Sequence, residues 1–139
     1  MSIKRVIPYL NFNGTAEKAI KLYETVLGAR TEGLMRFGDA AKTPAEKDRV
    51  MHALLHLGAG DIMLSDTMTS APVSADGTAN VHITLDFDDP VDMARKFEGL
   101  ASGGTVTMPL QDTFWGARFG MLTDPFGIRW MLNCELKKP

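Results

Sequence analysis

Cysteine is almost absent from this sequence, with Cys134 standing alone. It can form no intramolecular disulfide, which fits a reducing, cytoplasmic compartment. In an apolar strand a lone thiol reads as a small buried hydrophobe rather than a nucleophile. An excess of charge of one sign is also missing, since 15 Lys and Arg balance 17 Asp and Glu for a net charge of −2. Without a basic stripe there is nothing to follow a phosphate backbone, and nucleic acid is excluded as an expected partner. Long apolar runs are lacking too, and Met1-Ser2-Ile3-Lys4-Arg5 leads straight into a strand-like segment with no signal-peptide core. No membrane partner is expected. With three histidines, any imidazole chemistry rests on His52, His56 and His82.

What is present is enough for one folded domain of 139 residues with 45% hydrophobic content, which needs no staples. Residues 6–12 (VIPYLNF) read as a strand. Asn13-Gly14 then turns into residues 15–27, where Ala16, Ala19, Ile20, Tyr23 and Leu27 recur at helical spacing, with Thr15 as N-cap and Gly28 as the stop. Strand-like segments follow at 29–37, 50–57 and 61–66, the last two joined across Gly58-Ala59-Gly60 as a hairpin. From Val81 the order repeats: a strand at 81–87, Asp89 as N-cap with Pro90 at the first helical position, and a helix carrying Met93, Ala94, Phe97, Leu100 and Ala101 on one face. It stops at Gly103-Gly104. Strands at 105–110, 117–123 and 128–133 complete the second half, the last two separated by the turn Asp124-Pro125-Phe126-Gly127.

A shift of 75 residues lays Leu10 on Leu85, Phe12 on Phe87, Ala19 on Ala94 and Leu22 on Phe97. The expectation is therefore an α+β chain of two tandem β-α-β-β-β modules, at about 3–66 and 81–135, joined by a linker at 67–80 (TMTSAPVSADGTAN). That linker and the loop at 38–49 (GDAAKTPAEKDR) exceed usual connection lengths, so both are candidate lids as well as plain connections.

The doubled module with a strand-turn-strand ending in Asp124-Pro125-Phe126-Gly127 resembles the vicinal oxygen chelate superfamily, which includes glyoxalase I, fosfomycin-resistance transferases and bleomycin-binding proteins. More narrowly, Pro8-Tyr9-Leu10, Leu22-Tyr23 before Leu27-Gly28-Ala29, Ile62-Met63-Leu64-Ser65-Asp66, Thr113-Phe114-Trp115-Gly116 and Thr123-Asp124-Pro125-Phe126-Gly127-Ile128-Arg129-Trp130 look like the PhnB-like branch, often described as a 3-demethylubiquinone 3-methyltransferase domain. The resemblance implies that the modules form an open barrel and that the chain pairs as a homodimer. It also implies that a divalent metal is held, in many members, on inward side chains of the first and last strand of each module.

Strand alternation says what occupies those places here. Ile83, Leu85 and Phe87 form the packed phase, leaving His82, Thr84 and Asp86 inward; Leu10 and Phe12 pack, leaving Tyr9 and Asn11 inward, with Ile7 matching His82. Trp130 and Leu132 pack, leaving Arg129, Met131 and Asn133 inward, while Met63 and Ser65 take the same phase in the first module. Ile7 cannot ligate, and the thioethers of Met63 and Met131 suit soft metals. No cofactor is expected, and His82 is the one candidate ligand should a divalent metal bind. His52 and His56 lie about 13 Å apart along one strand, too far to share an ion. One of them joins His82 only if the barrel brings them together, and otherwise each is a partly buried residue with a satisfied hydrogen bond.

The inward set of polar groups on apolar walls fits a small-molecule pocket. Arg129 is a candidate fork for a carboxylate or phosphate, and His82 with Asp86 a candidate base and partner. Tyr9, Asn11, Ser65, Thr84, Met131 and Asn133 are candidate ligand contacts. Trp115 is a candidate stacking platform or cap, with core or dimer packing as the alternative. Two functions stay open: a protein that binds or sequesters a small ligand, and a lyase, isomerase or transferase resting on His82, Asp86 and Arg129. A Gly58-Ala59-Gly60 nucleotide loop is disfavoured because a strand, rather than a helix N-terminus, follows it. In a third reading the cavity is filled by the protein's own side chains.

Overall fold

The computed structural model describes residues 2–38, 41, 43–67 and 80–136. The chain divides into two compact units after Ser74, and each is described by itself. In the first, β1 (Tyr9–Phe12), α1 (Ala16–Leu27), β2 (Arg30–Arg36), β3 (Val50–Leu57) and β4 (Gly60–Asp66) follow in order. In the second, the same sequence returns as β5 (Ile83–Phe87), α2 (Pro90–Ala101), β6 (Thr105–Asp112), β7 (Ala117–Thr123) and β8 (Arg129–Glu135). The sheets have orders β1-β4-β3-β2 and β5-β8-β7-β6, so in each module the first strand lies beside the last. That pairing is parallel in both, and all other pairings are antiparallel. Two tandem β-α-β-β-β modules of α+β class are what the repeat predicts.

Each helix covers one face of its own sheet. Under α1, Phe12, Ala53, Leu55, Ile62 and Leu64 meet Ala16, Ala19, Ile20 and Tyr23, all buried. Under α2, Met93, Phe97 and Leu100 share the core with Leu122, Trp130, Leu132 and Cys134. Burying each large side chain contributes about 1.5–3 kcal/mol. Gly120 lets α2 approach closely: a Cβ there would lie 2.8 Å from Phe97 Cε2 and 2.9 Å from Leu110 Cδ2. Gly28 adopts the left-handed conformation at φ 71° and closes α1 as a C-cap.

Several expectations are corrected. Thr15 makes no side-chain cap to α1. Instead Asp66, from the end of β4, accepts from Ala16 N at 2.9 Å and from Val50 N at 2.9 Å. The first strand begins at Tyr9, because only the Pro8 carbonyl, taking Met63 N–H at 3.0 Å, continues the ladder toward Val6. Likewise β5 begins at Ile83, opposite Trp130, so His82 precedes the strand rather than belonging to it. Both β6 and β8 run two residues beyond their expected ends, to Asp112 and Glu135, because Asp112 pairs with Arg118 and Glu135 with Ala117. Asp89 caps α2 as expected, accepting from Val91 N at 2.9 Å, with Pro90 at the first position.

Of the candidate lids, residues 68–79, 39, 40 and 42 lie outside the described residues. The described part of the 38–49 loop contains a 3-10 turn, Pro44–Glu46, whose buried Glu46 accepts from Thr43 Oγ1 at 3.1 Å. Among the described residues no helix is long and apolar enough to cross a membrane.

Candidate functional site

The face of the second sheet away from α2 carries chemistry. Register places Thr84 against Met131 and Asp86 against Asn133 across the β5–β8 ladder, while Met121 and Phe119 follow on β7. Their alternates Trp130, Leu132 and Cys134 are wholly buried under α2, so the pleat turns Arg129, Met131, Asn133 and Glu135 to the opposite face. Asn133 Nδ2 donates to Asp86 Oδ1 at 3.0 Å, which fixes the amide's orientation because an ionised carboxylate only accepts. At the Glu135 end a cavity of about 280 Å³ opens among Trp115, Gly116, Ala117, Asn133, Glu135 and Leu136. Trp115, at the β6–β7 turn, is 62% exposed and stacks edge-on with Phe114 at 4.9 Å between ring centres.

At the opposite end of the same face, the register extended by one step sets His82 against Arg129. Burial pushes the His82 imidazole below its ordinary pKa, and the Arg129 guanidinium pushes it further in the same direction. His82 is therefore neutral at neutral pH and able to accept a proton or hydrogen bond. Burial also raises the Cys134 thiol, with Asp86, Asp88 and Asp89 adding to the effect, so this sulfur is a poor nucleophile.

The first module presents the equivalent face. Tyr9 pairs with Met63 and Asn11 with Ser65, while Leu54 lies beyond Met63. His52 and His56, expected as hydrogen-bonded, partly buried side chains or as a candidate ligand beside His82, have partners here that the sequence reading did not name. Tyr9 Oη and His52 Nδ1 are 3.4 Å apart, at the long limit of a hydrogen bond. His56 lies between two carboxylates, Nε2 at 2.6 Å from Glu32 and Nδ1 at 2.6 Å from Asp61, and Asp61 also accepts from Arg5 Nη1 at 2.7 Å. A neutral imidazole has one N–H to give, so two carboxylate contacts require the imidazolium. Glu32 first and Asp61 second raise the His56 pKa accordingly. The signal was available: counting alternation back from the hairpin places His52, Leu54 and His56 on one face.

Among the described residues no three His, Cys, Asp or Glu side chains gather to hold a metal ion. The positions where the superfamily resemblance implies ligands carry Ile7, Met63, His82 and Met131, and this donor set does not fit a hard divalent ion. Gly58-Ala59-Gly60 is the β3–β4 hairpin turn, with Gly58 at φ 56° and Leu57 paired to Gly60.

Residues 7–132 match the Glyoxalase/Bleomycin resistance protein/Dioxygenase superfamily, and the chain is a member of it. Among individual proteins, it is 33% identical over 144 residues to protein YjdN of Escherichia coli K12, covering 95% of this chain and 96% of that one. The crystal structure of protein PA1353 from Pseudomonas aeruginosa superposes with a TM-score of 0.85 at 41% identity, over 97% of this chain and 100% of that one. A Bacillus cereus protein described as a putative 3-demethylubiquinone-9 3-methyltransferase, PhnB protein, shares the fold with a TM-score of 0.77 at 22% identity, covering 94% of this chain and 99% of that one.

Proposed function

We propose that this protein binds or sequesters a small oxygen-bearing molecule on the polar sheet face of its second module, without a resident divalent metal or other cofactor. One observation carries the reading. Thr84, Asp86, Arg129, Met131 and Asn133 share the face that α2 leaves uncovered, and a cavity of about 280 Å³ opens at its end. Arg129 offers a fork for an anionic oxygen, Thr84 and the Asp86–Asn133 pair offer directional hydrogen bonds, and Met131 offers an adaptable apolar wall. The first module supplies a second face of the same construction, with Tyr9, Asn11 and Ser65. In this reading the protein works in the cytoplasm as a homodimer.

The second reading, a lyase, isomerase or transferase acting through His82, Asp86 and Arg129, is favoured by the neutral His82 imidazole beside Arg129. A thermal-shift screen with quinones, planar aromatics and glycopeptides separates the two. Binding without chemistry predicts a rise in Tm that persists in His82→Ala, with the ligand recovered unchanged. Product formation that disappears in His82→Ala gives the second reading. A stoichiometric metal found by elemental analysis, and lost in His82→Ala, overturns the metal-free part of the proposal. If no compound raises Tm, the binding reading fails.

A further inference from the structure

The cavity beside Trp115 has a chemical polarity that narrows its ligand, and the inference rests on the binding reading above. Among the described residues its one charged lining group is the Glu135 carboxylate. Asn133 already spends an amide hydrogen on Asp86, and its carbonyl oxygen is an acceptor. The backbone around the turn is committed internally: Gly116 N donates to Thr113 O at 3.3 Å, Ala117 N to Thr113 Oγ1 at 3.1 Å, and Leu136 N to Gly116 O at 3.0 Å. The remaining wall is the half-open indole of Trp115, held edge-on by Phe114.

Cations on the described part of β7 and β8 are placed elsewhere. Arg129 lies six residues along β8, about 20 Å from Glu135. Arg118 takes the opposite pleat and is bound to Asp112 at 2.7 Å. Among the described residues, a carboxylate, an amide oxygen and an aromatic face with no cation beside them form an environment for positive charge.

We propose that this cavity takes the protonated amine of a small organic cation, its ammonium set between the Glu135 carboxylate and the Trp115 ring. The sheet face thus has two ends of opposite preference, Arg129 for an anionic oxygen and Glu135 for a cationic nitrogen.

Protein labelled with nitrogen-15 gives two indole N–H signals, one per tryptophan. Trp130 is wholly buried with Nε1 donating to Asp124 Oδ2 at 2.9 Å, so it serves as an internal reference. Benzylamine, benzyl alcohol and benzoate are titrated in turn. The expected result is a saturable shift of the Trp115 signal with benzylamine, a stationary Trp130 signal, and affinity lowered about five-fold in Glu135→Gln, the scale of one exposed ion pair. An equal response to benzyl alcohol, or a stronger one to benzoate, overturns the cation assignment while leaving the binding reading standing. Movement of both indole signals together, or no response to any of the three, also overturns it. The thermal-shift screen then decides the binding reading separately.

Discussion

The two modules place a different residue at the same lattice point. Phe12 pairs with Asp66 at the end of the first module's parallel ladder, and Phe87 pairs with Cys134 at the corresponding place in the second. Asp66 is 4% exposed and Cys134 wholly buried. The carboxylate is tolerated because two buried backbone N–H groups, on Ala16 and Val50, donate to it. In the second module α2 is capped by its own Asp89, so the equivalent lattice point is left to an apolar thiol. One topology thus satisfies a helix N-terminus either locally or through a residue 50 positions away in sequence, and the distant solution ties helix, β3 and β4 into one unit.

Replacing Asp66 with Ala tests that difference hardest. Two buried donors lose a charged acceptor, and we expect a loss of about 3–5 kcal/mol in urea unfolding. Asp66→Asn, which keeps one acceptor oxygen, should fall between. Asp89→Ala removes only a local cap and should cost about 1 kcal/mol. If the two alanine variants are equally destabilised, the distinction between distant and local capping is wrong.

The histidines provide a finer contrast, because their pKa values move in opposite directions from 6.5. Native His56 holds its proton more tightly than the unfolded chain does. Its stabilisation is complete below pH 6.5 and is lost as pH rises through the raised native value. Native His82 resists protonation, so stability is lost as pH falls through 6.5 toward its lowered native value. The stability advantage of the parent protein over His56→Gln should therefore shrink with rising pH, and its advantage over His82→Gln should grow. Parallel curves for the two variants would contradict both assignments.

Periodicity and punctuation made the architecture legible. Residues 50–57 and 117–123 are strands at the expected bounds, and Gly28 and Asp89 cap their helices as their residue types suggest. What sequence could not convey was the identity of partners. Val6 and Ile7 have strand-like side chains but do not join the β1–β4 ladder, and His82 stays outside β5 even though the register extended by one step sets it against Arg129. Thr15 looks like a cap, yet Asp66 arrives from 50 residues away and takes the role. At the candidate site the pleat of β8 follows from Trp130 and Leu132. Glu135 was missed because β8 was ended too early, and the His56 carboxylate pair because register between β2, β3 and β4 is a tertiary fact.

The parallel seam in each module bears on how the chain is made. Tyr9 and Met63 are neighbours in space and 54 residues apart in sequence (63 − 9), and Thr84 and Met131 are separated by 47 (131 − 84). During synthesis each opening ribbon therefore waits for its closing ribbon to leave the ribosome, because loop closure over that length precedes any reward from the contact. Until then the earlier strands have only their antiparallel hairpin to shelter them, and the half-built sheet exposes the very edge at which a neighbouring nascent chain could add itself.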